Sequence, residues 1–231
     1  MRAPVIEVPR LSAVPWLVHG FGTRRFGLDD LKAEAAKRKA TIVVLDQIHS
    51  DIIRVIERPP ARRIEGDASA TGTPGLLLVV KTADCLPLLL LDKKRRVVAA
   101  VHAGWRGTAQ RIAERAVAAL REHFGSDPAD IIAALGPSIG PACYEVSEDV
   151  RRHFRDAGLP GDPFSPRRGR PGKFRLDLAA ANAAQLEAVG VPSRRIVRVG
   201  RCTHCDPDLF SFRRDRDTRH RLYNFIGILA G

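Results

Sequence analysis

Leu76-Leu-Leu-Val-Val-Lys-Thr-Ala-Asp-Cys-Leu-Pro-Leu-Leu-Leu-Leu91 holds two apolar runs, Leu76–Lys81 and Leu86–Leu91, parted by Thr82-Ala-Asp-Cys85. Each run has the length of a strand rather than a helix, and neither alternates between apolar and polar residues. Both are therefore predicted as buried strands. Val97–His102 is a third strand on the same reasoning, and Gly104 breaks its pattern. Thr108–Phe124 then reads as one long amphipathic helix, with Ile112, Ala116, Ala119 and Leu120 as its apolar stripe. Upstream, Trp16–Phe21 is predicted as a strand running into the loop Gly20-Phe-Gly-Thr-Arg24, and Asp30–Lys39 as a helix. Ile42–Leu45 and Ile52–Glu57 are β-rich, and a hairpin with Gln47-Ile-His-Ser50 at its bend is the simplest pairing. Downstream, Ile131–Leu135, Ile196–Val199, Phe210–Arg213 and Leu222–Leu229 read as strands. Ser147–Ala157 and a segment capped by Asp177 and running to Val189 read as helices. Gly161–Gly172 reads as an exposed loop. Strands and helices are mixed without strict alternation, which predicts an α+β fold, and no linker divides residues 1–231 into two domains.

The bulk properties narrow the function classes. The chain has 231 residues, 45% of them hydrophobic and 28% charged. No apolar run approaches the roughly 18 residues of a membrane helix. Met1–Arg10 lacks the apolar stretch and cleavage site of a signal peptide, so a cytoplasmic protein with no membrane partner is expected. The net charge is +12, and Arg supplies 31 of the 38 cations. A basic balance raises the prospect of a nucleic-acid partner, but the arginines are scattered among acidic residues, and none is expected. Without a secretory signal the four cysteines, Cys85, Cys143, Cys202 and Cys205, point to metal or catalytic use rather than disulfides.

Three residues fall where predicted strands meet loops, the positions at which functional groups collect: His49 at the bend, Cys85 at the break between the apolar runs, and His102 before Gly104. One thiolate and two imidazoles suit zinc, with copper possible. Three protein ligands leave the fourth position open, as in a catalytic centre. The same residues admit a metal-free reading in which Cys85 is a nucleophile and His102 its base, and a packing role for all three. Cys202-Thr-His-Cys205 has the spacing of half a zinc site, but a closed site needs four ligands. Cys143 is the one other cysteine outside the triad, and Pro207 interrupts the local structure. One zinc per chain is expected, with Cys202 and Cys205 as wall. Gly136-Pro-Ser-Ile-Gly140 offers main-chain N–H groups for an oxyanion, and Arg24 after two glycines is a candidate phosphate clamp.

In this order the pieces resemble the laccase-domain family of purine nucleoside phosphorylases, also known as polyphenol oxidases. The matching blocks are His19-Gly-Phe-Gly-Thr-Arg24, Gln47-Ile-His49, Gly66-Asp-Ala68, Val80-Lys-Thr-Ala-Asp-Cys-Leu-Pro87, Ala100-Val-His-Ala-Gly-Trp-Arg-Gly107, Leu135-Gly-Pro-Ser-Ile-Gly-Pro141, Cys143-Tyr-Glu-Val146 and Cys202-Thr-His-Cys205. The resemblance implies a four-layer α/β/β/α sandwich with a single zinc on His49, Cys85 and His102. It implies phosphorolysis of adenosine, inosine and methylthioadenosine, with adenosine deamination as a side activity. Purine nucleoside and phosphate would be the small-molecule partners of a monomer or weak homo-oligomer. Asp84 and Asp67 are then the candidate proton carriers, with Arg24, Gln47, Asp67 and Arg106 as candidate substrate-binding residues. The chain departs from the family pattern near its end, where Phe212 stands in place of a Tyr and Thr218-Arg-His-Arg221 replaces a Gly-Arg context. Phenol oxidation by a copper cluster remains an alternative. It is disfavoured because none of the seven histidines forms a His-x-His pair.

Overall fold

The two apolar runs are uniform because each strand is covered on both faces. In Leu76–Thr82, Leu76, Leu78 and Val80 pack against Leu89, Leu91, Val98 and Ala100 of a second sheet, while Leu77 and Val79 pack against Leu31 and Ala35 of the helix Leu28–Lys37. The strand Leu86–Asp92 repeats the arrangement. Leu89 and Leu91 face the first sheet, whereas Leu86, Leu88 and Leu90 lie against Ile112, Ala116, Val117 and Leu120 of the helix Ile112–Phe124. The computed structural model, which describes residues 3–230, is thus a four-layer α/β/β/α sandwich. Full burial of each such leucine contributes about 1.5–3 kcal/mol.

The first sheet runs Val5–Ile6, Leu17–Gly22, Leu222–Ile228, Leu76–Thr82, Thr41–Val44. The second runs Ile196–Arg198, Ile131–Leu135, Leu86–Asp92, Val97–Ala103, Ala68–Thr71, Ile53–Val55. Most neighbours are antiparallel, but Thr41–Val44, Ile53–Val55 and Ile196–Arg198 pair in parallel, so both sheets are mixed. A small third sheet joins Glu145–Ser147, Lys173–Leu176 and Phe164–Pro166.

Four local expectations are corrected. Ile42–Leu45 and Ile52–Glu57 do not form a hairpin: Thr41–Val44 pairs with Leu76–Thr82 in one sheet and Ile53–Val55 with Ala68–Thr71 in the other. The helix expected over Thr108–Phe124 is broken into Trp105–Ala109 and Ile112–Phe124, with Arg111 left-handed at φ 64° between them. That conformation costs a non-glycine residue about 1–2 kcal/mol. It is offset by the Arg111 guanidinium, which bonds Glu114 and the carbonyls of Ala157 and Gly158. Gly161–Gly172 contains the strand Phe164–Pro166. Phe210–Arg213 is not a strand, because the Ser211 side chain accepts from the Arg214 N–H and starts the short helix Phe212–Asp215. Asp177 does cap Leu178–Ala188, by accepting from the Ala180 N–H. Among the described residues no helix is long and apolar enough to cross a membrane.

Candidate metal centre

Two crossings between the sheets meet at one end of the sandwich. The segment from Thr41–Val44 to Ile53–Val55 carries His49, and the tight link from Leu76–Thr82 to Leu86–Asp92 carries Asp84 and Cys85. His102 comes from the strand Val97–Ala103, where it pairs with Pro87. Its neighbours Val101 and Ala103 face the helices, so by alternation His102 points into the seam between the sheets. The ligand-type atoms of His49, Cys85 and His102 all lie within 4.8 Å of one another.

Asp67 assembles this cluster. It is fully buried, and its carboxylate accepts from the N–H groups of Ile48 (3.2 Å), His49 (3.0 Å) and Ser50 (2.6 Å), from the Ser50 hydroxyl (2.7 Å), and from His102 Nδ1 (2.8 Å). Three consecutive N–H groups wrap an anion here, which holds His49 in the left-handed region at φ 60°. Burial pushes the Asp67 carboxyl up, but the bonds from His102 and Ser50 outweigh it and bring it down to about 2. With Nδ1 of His102 donating to Asp67, Nε2 is left to face the cluster, the usual arrangement of a metal-binding histidine.

Burial also pushes the Cys85 thiol up, and the His102 charge with bonds from His102 and His49 bring it down to about 6. Burial lowers His102, but the Cys85 sulfur and Asp67 raise it to about 9. Without an ion the pair is therefore thiolate and imidazolium at neutral pH. Gly104 makes room for it: a Cβ there would stand 3.0 Å from Cys85 Sγ and 3.2 Å from His49 Cδ2. One sulfur and two imidazole nitrogens with a glycine beside them fit a borderline-soft ion with an open position.

The surrounding candidate side chains differ in how many protein partners they have. Asp84, at φ 88°, accepts from the Thr203 hydroxyl (2.6 Å) and from the Arg213 N–H (2.6 Å), so both its oxygens are engaged. Gln47 uses both ends of its amide on the main chain of Lys81 (2.9 and 2.8 Å), extending the first sheet past Val44. Arg24 is ion-paired to Asp215 (2.5 Å), donates to the Leu209 carbonyl and stacks on Phe210 at 4.8 Å. Arg24, Gln47, Asp84 and Asp67 are thus all held by protein partners. The two glycine loops are not anion cradles. The N–H groups of Gly136, Ser138 and Ile139 go to the carbonyls of Pro87, Arg201 and Asp84, and that of Gly140 to Cys202 Sγ. Gly20 and Gly22 lie in a buried strand, and a Cβ on Gly22 would stand 2.6 Å from the Tyr223 carbonyl.

Arg106 stacks on Trp105 at 4.6 Å and, with Ala109, Gln110 and His153, lines a pocket of about 310 Å³. No carboxylate pairs with it among the described residues. Two further residues, neither of them named as a candidate from the sequence, lie close by. Burial pushes the Tyr144 hydroxyl well above its ordinary value, and Cys85 and Asp84 push the same way, while Arg213 and Arg106 oppose them. Arg213 stacks over the Tyr144 ring at 5.4 Å. Their signal in the sequence is the Cys143-Tyr-Glu-Val146 block and the arginines after Ser211, but nothing local places either beside Cys85.

Fold and site together define a sandwich protein with a one-sulfur, two-imidazole centre at the seam of its sheets. The chain belongs to the family described as multi-copper polyphenol oxidoreductase laccase, which matches residues 28–229. A relative from Deinococcus radiodurans named purine nucleoside phosphorylase is 39% identical over 97% of this chain and 93% of its own length. Another, from an unknown prokaryotic organism and named adenosine deaminase RL5, is 38% identical over 81% of this chain and 71% of its own. The crystal structure of the Bacillus licheniformis hypothetical protein YfiH superposes with a TM-score of 0.87 at 30% identity, covering 98% of this chain and 97% of that one.

Proposed function

We propose that the protein is a zinc-dependent purine nucleoside phosphorylase. It would act on adenosine, inosine and methylthioadenosine, giving the free base and the (methylthio)ribose 1-phosphate, with deamination of adenosine as a side reaction. The observation that carries the proposal is the convergence of His49, Cys85 and His102, with Arg106 and Arg213, which no carboxylate pairs with among the described residues, acting on Tyr144 next to Cys85. The names of the relatives support the same reading. The bound ion would supply Lewis acidity at the open position.

The chain's own groups supply the rest. Arg106 and Arg213 would hold phosphate, which guanidinium groups bind with two parallel bonds. A phosphate oxygen attacks C1′ of the ribose, the C1′–N9 bond breaks, and the base leaves with the electron pair and takes up a proton. Tyr144 keeps its proton at neutral pH and can donate a hydrogen bond to the substrate. Asp67 fixes the ring orientation of His102, and Asp84 fixes the loop that carries Thr203. In deamination a water oxygen attacks C6 and ammonia leaves. Chromatography of adenosine incubated with the protein, with and without phosphate, tests the proposal. Adenine that forms only with phosphate supports phosphorolysis, and inosine that forms regardless supports the deaminase activity. Neither product forming with zinc-loaded protein refutes both.

A second reading rests on the closeness of the Cys85 sulfur and the His102 ring, which favours a charged thiolate and imidazolium, the pairing of a cysteine hydrolase. It requires activity to survive a chelator and to be abolished by thiol alkylation, whereas the zinc reading requires the chelator to abolish it.

A further inference from the structure

A second group of soft ligands lies outside this centre. Cys143, His204 and Cys205 bring their ligand-type atoms within 4.8 Å of one another. The Cys143 and Cys205 sulfurs are 3.2 Å apart across 62 positions of sequence. Cys202 lies beside them rather than among them: its sulfur accepts from the N–H of Gly140, whose carbonyl accepts in turn from the Cys143 N–H, so it would swing in as the fourth ligand. The sequence alone leaves Cys202 and Cys205 in the site wall because nothing in it brings Cys143 to them, which the fold does.

We propose that Cys143, Cys202, Cys205 and His204 form a closed, structural site for a soft divalent ion, zinc in the first instance. The set is Cys₃His, one of the standard structural zinc sets, and Cys202-Thr-His-Cys205 has the two-residue spacing of a zinc knuckle. The main chain is already folded for it. The Asp206 N–H closes a tight turn on the Cys202 carbonyl at 2.9 Å, and the Cys143 N–H closes another on Gly140 at 2.9 Å. The Gly140 N–H donates to Cys202 Sγ at 3.2 Å, the kind of outer bond that orients a metal-bound sulfur. The 3.2 Å between sulfurs exceeds the roughly 2.05 Å of a disulfide. It is a few tenths of an ångström short of the roughly 3.8 Å between two sulfurs each about 2.3 Å from one tetrahedral ion.

Such an ion would tie the Cys202–Cys205 turn to the loop after Ile131–Leu135. Thr203 sits in that turn with its hydroxyl on Asp84, next to Cys85. The second site would brace the wall of the first, whichever reaction the first performs.

Metal analysis of protein produced in zinc-supplemented medium tests this. About two zinc ions per chain are expected in the native protein, about one in Cys85→Ala and about one in Cys143→Ser/Cys205→Ser. Cys205 is exposed, so Cys205→Ser alone leaves the packing undisturbed, and the folded fraction isolated by gel filtration is what is measured. Cobalt-substituted Cys85→Ala should show intense sulfur-to-metal charge-transfer absorption that weakens when Cys205 is replaced. About one zinc in the native protein with none in Cys85→Ala overturns the proposal. So does an intact mass showing a Cys143–Cys205 disulfide in protein purified under reductant.

Discussion

Replacing Asp67 with Asn keeps the shape of the side chain and removes its charge, which isolates what the carboxylate does. Oδ1 receives two donors, His49 N–H and His102 Nδ1, and Oδ2 receives three, from Ile48 and Ser50. The amide therefore settles with its carbonyl toward the three and its NH₂ toward the two. His49 N–H then loses its partner, at about 1–3 kcal/mol, and the surviving bonds fall from charge-assisted to neutral strength. The total is about 3–5 kcal/mol. Linkage gives an independent check: lowering a carboxyl from 3.8 to about 2 corresponds to about 2 kcal/mol favouring the ionised form. That stability is complete above pH 3.8 and is lost as pH falls through about 2. For a chain of this size the melting temperature should fall by about 6–20 °C in the metal-free protein. The NH₂ group also faces His102 Nδ1, so the ring carries its proton on Nε2, the atom a metal needs. Zinc affinity should drop about 10–100-fold. Competition with a chromogenic chelator at neutral pH measures the affinity, and circular dichroism with chelator present measures the melt. A variant with native affinity and a melting temperature within about 2 °C of native would refute Asp67 as the organiser of the centre.

Five further outcomes are expected. Cys85→Ala should lose the zinc of the first centre together with activity, and full occupancy of that centre in a folded Cys85→Ala protein would remove Cys85 from the ligand set. Gly104→Ala places a methyl 3.0 Å from Cys85 Sγ; zinc affinity at the first centre should fall by at least about 10-fold, with a modest stability change of about 1–3 kcal/mol, and unchanged affinity would show that the cluster has slack there. Arg106→Ala should raise the phosphate KM about 10-fold or more, since a charge-assisted bond contributes roughly 1.5–3 kcal/mol. Arg24→Ala should instead lower the melting temperature and leave that KM unchanged, and the reverse pattern would put Arg24 on phosphate. In metal-free protein, peptide-mapped alkylation of Cys85 should rise with pH through about 6, because only the thiolate reacts; a midpoint near the ordinary thiol value of 9 would remove the pairing with His102.

The strands that make the core are legible in the sequence because burial on both faces leaves an unmistakable run of leucine and valine. Cys85 and His102 are legible because they end such runs. Pairing is not. Thr41–Val44 and Ile53–Val55 carry the same local signal whether they pair with each other or with strands in separate sheets. Ala68–Thr71 is hidden since four small residues, Ala-Ser-Ala-Thr, show no apolar contrast, although this strand follows directly from Asp67. The break at Arg111 has no glycine or proline to mark it and depends on carbonyls at Ala157 and Gly158. The Gly136–Gly140 loop looks free to bind an anion, because a sequence does not reveal that its N–H groups are already spent on other segments. Tyr144, Arg213 and the meeting of Cys143 with Cys205 are likewise products of tertiary folding.

The two crossings that carry His49 and Cys85 each lead from one sheet to the other, while His102 belongs to the second sheet alone. An ion held by all three would rivet the layers together at one corner. The sheets could not shear past each other by even one residue pair, about 7 Å along an antiparallel strand, without pulling the rivet out. Metal loss and unfolding should therefore occur as a single event on heating, and a chelator indicator present during the melt would change colour at the temperature where the ellipticity falls, not before it.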